Sequence, residues 1–307
     1  MLVKILGSAA GGGFPQWNCG CVNCHGVRDR SFKGSFRTQA QLAWSAAPSR
    51  WSLLNASPDL RVQIEATPDL WPPNGTRNSP IHDVILASAE VDQVLGLLLL
   101  REFHSFRAYA TRSVRKILTE DNSLFGVLAR FPGQVCWQDI PLDRPFCAGG
   151  ARLEVLPLRG SFPGFVRAPR LAELNAADAV IGLLISPELG ASSSGRTLAF
   201  LPGVYCIPDA LLERLQSCDV LLFDGTFWSD DEPLQIPGVT RTARQMGHVP
   251  LSGPGGSLEC FAALQRPRKI FIHINHTNPI LDEESMEHRM VREAGWEVAG
   301  DGMEMTL

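Results

Sequence analysis

Short runs of branched and aromatic residues, each cut off by Gly, Pro, Asn or Asp, recur along the chain. This punctuation suits strands far better than long helices. Val3 to Leu6, Trp51 to Leu54, Val84 to Ala87, Leu153 to Leu158, Val180 to Ile185, Leu198 to Leu201, Val220 to Phe223 and Ile270 to Ile272 all fit it. Apolar residues three and four apart predict helices over Val94 to Phe103, Ser113 to Thr119, Pro208 to Gln216, Ser257 to Leu264 and Glu283 to Ala294. The order of these segments predicts an α/β fold of four layers, αββα, with two sheets packed together and helices on the outer faces. Phe162 to Asn175 and Ser229 to Gly238 are rich in Pro and charge and read as long loops of the kind that serve as lids. With neither an internal repeat nor a low-complexity tract, residues 1–307 read as a single domain.

A chain of 307 residues buries about three quarters of its unfolded surface and needs no disulfide scaffold. Its net charge of −4, with Lys and Arg scattered, argues against a nucleic-acid groove or an anionic membrane surface as partner. The apolar stretch Val94 to Leu100 is interrupted by Gly96 and falls far short of the ~20 residues of a membrane span. The start, Met1-Leu-Val-Lys-Ile-Leu, lacks the pattern of a secretory signal, so the expected compartment is the reducing cytoplasm. There Cys136, Cys147, Cys206, Cys218 and Cys260 read as packing residues.

Cys19, Cys21 and Cys24 do not read that way. Two of these thiols could pair only through a strained ring, whereas three thiolates and one further donor meet the tetrahedral demand of a structural zinc ion. The alternative is a set of free, buried cysteines. A fourth ligand has to come from elsewhere, and His273 and His276, just past an apolar run, are the foremost candidates. His25, adjacent to Cys24, competes.

Several apolar runs end in a polar residue: Asp224 after Val220 to Phe223, His273 after Ile270 to Ile272, and Asp92 and Gln93 shortly after Val84 to Ala87. Such residues project into a cleft at the strand ends. Asp92, Asp224 and His273 together would hold a divalent transition metal with open positions. Aspartates past strands also cap the next helix or turn, and spacing does not separate the two uses. The turn Gly11-Gly12-Gly13 lacks the spacing of a nucleotide loop. Gly12 and Gly13 would let backbone amides approach an acidic ligand, or let the cysteine loop turn tightly.

Leu6 to Cys19 with its cysteine cluster, Leu54-Asn-Ala-Ser-Pro-Asp59, Val91-Asp92 through Gly96-Leu97, Leu222 to Thr226, Met246-Gly-His248 and His273-Ile-Asn-His-Thr-Asn-Pro279 occur in this order over nearly the whole chain. In these residues the chain resembles the pyrroloquinoline quinone biosynthesis protein B family of the metallo-β-lactamase superfamily. The resemblance implies an αββα sandwich of two mixed sheets, a metal at one sheet edge, and a part in making the redox cofactor pyrroloquinoline quinone. Relatives are described as iron-dependent oxygenases that hydroxylate the tyrosine ring of a cross-linked glutamate–tyrosine precursor, or as carriers of the cofactor or precursor. The partners so implied are that small-molecule or peptide-derived precursor and other proteins of the pathway; the number of subunits stays open.

Ser88 and Glu90 stand where the superfamily's hydrolases have two histidines, so a two-metal hydrolase is not expected. Gln93 stands where similar proteins usually keep a histidine after the matched aspartate, which leaves Asp92, Asp224 and His273 as active-site ligands for iron or another divalent metal. His248 is expected to move protons or to add a donor, the alternative being a structural hydrogen bond on a turn. Asn55 and Ser57 are expected to bind substrate, and Asp59 to orient a ligand in the cleft, although Ser-Pro-Asp is equally a turn sequence. Along an extended segment His273 and His276 would face opposite sides, which assigns His273 to the open metal and His276 to Cys19, Cys21 and Cys24.

Overall fold

Two mixed seven-stranded sheets are formed by the residues this computed structural model describes, 1–102, 104–158, 160–188 and 195–307. The first sheet takes β1 (Leu2–Gly7), β2 (Gln41–Ala47), β3 (Arg50–Leu54), β4 (Ile81–Ile85), β5 (Phe106–Ala110) and β6 (Val135–Asp139). The second takes β7 (Phe146–Ala148), β8 (Ala151–Pro157), β9 (Ile181–Pro187), β10 (Leu198–Leu201), β11 (Val220–Asp224), β12 (Arg268–Ile272) and β13 (Trp296–Val298), and β14 (Glu304–Thr306) returns to the first. Strand orders are β14-β1-β2-β3-β4-β5-β6 and β13-β12-β11-β10-β9-β8-β7. Pairing is antiparallel for β2 with β3 and for β8 with its two neighbours, and parallel from β3 to β6 and from β10 to β13. The helices are short: α1 (Val22–Asp29), α2 (Leu60–Glu65), α3 (Val91–Val94), α4 (Arg112–Thr119), α5 (Ala168–Leu171), α6 (Asp209–Leu215), α7 (Ser257–Cys260) and α8 (Met286–Glu293). None described is long and apolar enough to cross a membrane.

The chain divides into two compact units, one of Met1–Leu6, Gln41–Gly195 and Gly302–Leu307, the other of Gly7–Ala40 and Arg196–Asp301. In the first, Leu53, Val84, Leu97, Val114, Ile117 and Leu118 belong to one core cluster that ties α4 to the sheet. In the second, Phe271 stacks on Trp296 at 4.0 Å between ring centres, and Phe223 meets Phe261 edge-on at 4.8 Å. These rings lock β11, β12, β13 and the segment after α7 together, each contributing about 1.5–3 kcal/mol by burial. All five residues of β11 are buried, as an interior parallel strand requires, and the strand ends that carry Asp224 and His273 are held rigidly as a result.

Each of the eight expected strand runs overlaps a strand. The helix expected over Val94 to Phe103 does not form as such: α3 ends at Val94 and a 3-10 segment covers Leu95–Arg101, while Phe103 lies outside the described residues. The cause is Gly96, whose amide donates to Ala56 O at 2.8 Å and whose backbone passes so close that a Cβ would stand 2.3 Å from Ser57 O. Of the two expected loops, Phe162 to Asn175 holds α5 and Ser229 to Gly238 holds a 3-10 turn over Glu232–Gln235.

Candidate metal centres

Asp224 is the last residue of β11 and pairs in register with Ile272, the last of β12, so Asp224 and His273 emerge at the C-terminal edge of two adjacent parallel strands. Gly225 makes room for this: a Cβ there would meet Phe271 Cβ at 2.9 Å. His273 has a φ of 60°, a left-handed conformation unusual outside glycine, and with it the chain leaves the strand. The expectation that His273 and His276 alternate along an extended segment therefore fails on its premise, because β12 stops at Ile272.

Around Asp224, which is fully buried, both carboxylate oxygens accept hydrogen bonds. Oδ1 accepts from the amide of Thr226 at 3.1 Å and from its hydroxyl at 2.5 Å, and Oδ2 accepts from the Val204 amide at 2.9 Å and from His248 Nδ1 at 2.8 Å. Burial by itself would raise this carboxyl, but the imidazole of His248, then that of His273 and the Thr226 hydroxyl, outweigh it and hold the pKa below its ordinary value. His248 arrives from the turn after Gly247, in the left-handed region with φ 94°, and its ring lies over that of His273 at 5.6 Å. Asp224, His248 and His273 each bring a ligand atom within 4.8 Å of the others. One carboxylate and two imidazoles suit a divalent transition metal.

A second cluster lies in the same unit. Cys19, Cys21, Cys24 and His276 bring their ligand atoms within 4.8 Å of one another. Sulfurs bound tetrahedrally to zinc at ~2.3 Å stand roughly 3.8 Å apart, so the arrangement accommodates the ion. Each sulfur faces an amide: Cys21 N–H to Cys19 at 3.4 Å, Cys24 N–H to Cys21 at 3.5 Å, Gln16 N–H to Cys24 at 3.4 Å. Burial pushes the Cys24 thiol up to about 12 and raises Cys21, so a cation beside these two thiols would be needed to hold them as thiolates. His276 is 5 % exposed, burial lowers its pKa and so favours the neutral ring, and its Nδ1 is buried without a hydrogen-bond partner. An orphaned imidazole nitrogen beside three thiols fits a metal ligand. His25 does not join: its exposed ring stands 3.3 Å from Asp29.

The remaining expected residues lie on other elements of the chain. Asp92 lies in the first turn of α3, in the first unit, so the expected set of Asp92, Asp224 and His273 divides between the two units. Gln93 is buried and its side-chain carbonyl accepts from the Ser88 hydroxyl at 3.0 Å. Asn55 and Ser57 are fully buried and knit loops together, Asn55 Oδ1 accepting from the Ala87 amide, the Ser57 amide donating to Gln41 Oε1 and its hydroxyl to Gln63 Oε1. Asp59 precedes α2 and makes no side-chain cap. Gly12 and Gly13 have φ of 94° and 71°, and the Gly13 amide donates to Ala10 O, which carries the tight-turn alternative.

Sequence reasoning gave no role to Thr226, whose hydroxyl touches Asp224 and both imidazoles. It also missed the amides that join the two clusters: Asn23 Nδ2 donates to the carbonyls of His276 and Asn278, and Asn278 Nδ2 donates to Gly225 O. A hydroxyl two residues past a strand-end aspartate was the available signal for the first. Nothing in the spacing announced the second.

A family model described as β-lactamase superfamily domain matches residues 50–274. Coenzyme PQQ synthesis protein B from Pseudomonas entomophila is 42 % identical over the full length of both chains. The chain belongs to the coenzyme PQQ synthesis protein B family. A solved structure of that family, Zn2+-bound PqqB from Methylobacterium extorquens, is 38 % identical and superposes with a TM-score of 0.90, covering all of both chains. A diphosphatase of the PhnP family, 19 % identical with a TM-score of 0.66 over 100 % of this chain and 97 % of its own, shares the fold alone. The family's metallo-β-lactamase architecture is thus the two-sheet α/β sandwich described above.

Proposed function

We propose that the chain takes part in making pyrroloquinoline quinone as an oxygenase that hydroxylates the tyrosine ring of a cross-linked glutamate–tyrosine precursor, with iron held by Asp224, His248 and His273 and zinc by Cys19, Cys21, Cys24 and His276. The observation that carries this reading is the donor set of one carboxylate and two imidazoles within 4.8 Å, the combination used by non-haem iron oxygenases. Relatives named for PQQ synthesis support the pathway, and the zinc-bound relative supports zinc binding. Bound at the open centre, iron would supply the redox chemistry with dioxygen that ring hydroxylation needs. Asp224 contributes the negative charge that offsets the cation, His273 is held behind it, and His248, whose side chain is 18 % exposed, is the member of the set that reaches solvent. The cysteine cluster has a structural part, because the carbonyls of His276 and Asn278 bind Asn23 on α1 while the Asn278 side chain holds the backbone just after Asp224.

A carrier of precursor or cofactor is the second reading. It is favoured by the Ser88 to Gln93 hydrogen bond, which occupies one carbonyl that could otherwise serve as a donor. Anaerobic loading with ferrous iron, followed by incubation of precursor with dioxygen and a reductant that supplies the two electrons by which the second oxygen atom leaves as water, separates the two. The oxygenase reading expects hydroxylated product from the wild type and none from Asp224→Ala; binding of precursor with no product in either protein would leave only carriage.

A further inference from the structure

Asn23 lies between two members of the cysteine cluster, in the first turn of α1, two residues after Cys21 and one before Cys24. Its carboxamide nitrogen carries two hydrogens, and both are used on one distant segment: Nδ2 stands 3.1 Å from His276 O and 3.1 Å from Asn278 O. Asn278 is fully buried and carries the connection further. Its Nδ2 donates to Gly225 O at 2.9 Å, and its Oδ1 accepts from the Ile280 amide at 3.1 Å. Gly225 is the residue between Asp224 and Thr226, and the same turn is held at Thr226 O, which accepts from the Asn275 amide at 3.1 Å. A path of two side-chain carboxamides therefore leads from the loop of the cysteines to the backbone that carries Asp224.

We propose that Asn23 and Asn278 pass zinc occupancy at the cysteines on to the turn that carries Asp224, ordering that turn and so raising the affinity of the open centre for its ion. This deepens the reading above and rests on zinc at Cys19, Cys21, Cys24 and His276. An eight-residue helix does not hold by itself in water. With zinc bound, Cys21 and Cys24 fix α1 on either side of Asn23, and His276 is tied to the same ion, so the carboxamide and the two carbonyls it bridges are held in register. Without the ion that constraint is gone, and the Asn278 side chain is left to hold Gly225 with its own carbonyl unclamped. Coupling of this kind is reciprocal: an ion at the open centre tightens zinc by the same factor. The competing explanation is that the segment is anchored well enough elsewhere. The Ile274 amide donates to Ser8 O at 3.0 Å and the Ala10 amide to Ile274 O at 2.9 Å. Were those bonds sufficient, zinc would stabilise the protein and leave Asp224 untouched.

Amide hydrogen exchange on the wild type separates these accounts with no variant and no iron. Removing zinc with a chelator is expected to speed exchange in the peptide that holds Gly225 and Thr226 by about 10-fold, and by more than in β4 of the first unit. Unchanged exchange at Gly225 and Thr226 would overturn the proposal. Ferrous iron affinity, measured anaerobically against a competing chelator, gives the second readout. Asn23→Ala loaded with one equivalent of zinc, and Cys24→Ser without zinc, are each expected to bind iron about 10-fold more weakly than zinc-loaded wild type. Asn23→Asp, of the same shape but without the two donors, is expected to match Asn23→Ala. Because both changes cut one path, the double variant is expected to lose no more than Cys24→Ser alone; losses that add would overturn the proposal. Metal analysis keeps the underlying reading apart. A wild type that holds no zinc at the cysteines would overturn that reading and the coupling together, whereas zinc held with the Asp224 turn unmoved would overturn the coupling alone.

Discussion

The hydroxyl of Ser88 donates to the side-chain carbonyl of Gln93 at 3.0 Å, and the same oxygen of Ser88 accepts from the Glu90 amide at 3.1 Å. Two positions that resemblance marks as former ligand sites have thus become partners of each other. Ser88 is 1 % exposed and Gln93 8 %, so the bond is made out of reach of bulk water.

Gln93→Ala strips the hydroxyl of its acceptor. A buried hydroxyl left unsatisfied costs about 1–3 kcal/mol, and urea unfolding is expected to show a loss in that range. Stability equal to wild type would mean that the bond is idle.

Cys24→Ser is expected to lose the structural zinc. At free zinc a thousandfold above Kd, binding to the folded state alone contributes ~4 kcal/mol, a shift in Tm on the order of 10 °C. Metal analysis and thermal scans check this: chelation should lower the Tm of the wild type and leave that of the variant unmoved. A variant that keeps its full zinc would remove Cys24 from the cluster.

Glu232 gives a pH dependence. It is 4 % exposed and accepts from the Trp228 amide and the Thr277 hydroxyl. Burial pushes its carboxyl up to about 7 from 4.5, against these hydrogen bonds. Because the folded pKa is the higher one, the native state binds more protons between these values. Its contribution is fully present below the unfolded pKa and is lost as pH rises through the folded one. Glu232→Gln mimics the protonated form, so its stability relative to wild type is expected to rise by up to ~3 kcal/mol between pH 4.5 and 8. Denaturant unfolding at both ends reads this directly, and a difference independent of pH would contradict it.

His248→Ala tests the composition of the open centre. As a ligand, His248 is required for the second ion, and the variant is expected to bind iron at least ~10-fold more weakly. Full iron binding with lost turnover would instead assign His248 to proton transfer.

Much of the fold was legible because apolar runs such as Val220-Leu-Leu-Phe and Ile270-Phe-Ile are what buried parallel strands require. β2, Gln41–Ala47, and β6, Val135–Asp139, escaped notice because polar and small residues interrupt them, and the three-residue β7, β13 and β14 are too short to carry a period. The 3-10 turn at Gly96 was illegible for another reason: the backbone of Ala56 and Ser57, forty residues away in sequence, decides it. In the cysteine cluster three of four members lie within six residues and announce themselves. His248 reaches Asp224 only through the turn at Gly247, and no spacing rule predicts that closure.

Everything proposed for the chemistry depends on a second, oxygen- and nitrogen-liganded ion apart from the zinc. The most direct measurement is the metal-to-protein ratio after anaerobic loading with zinc and iron and removal of loosely held ions, for the wild type and for Asp224→Ala. The account predicts one zinc and one iron per wild-type chain, with zinc alone retained in Asp224→Ala. Equal iron in both proteins, or none in either, would contradict it.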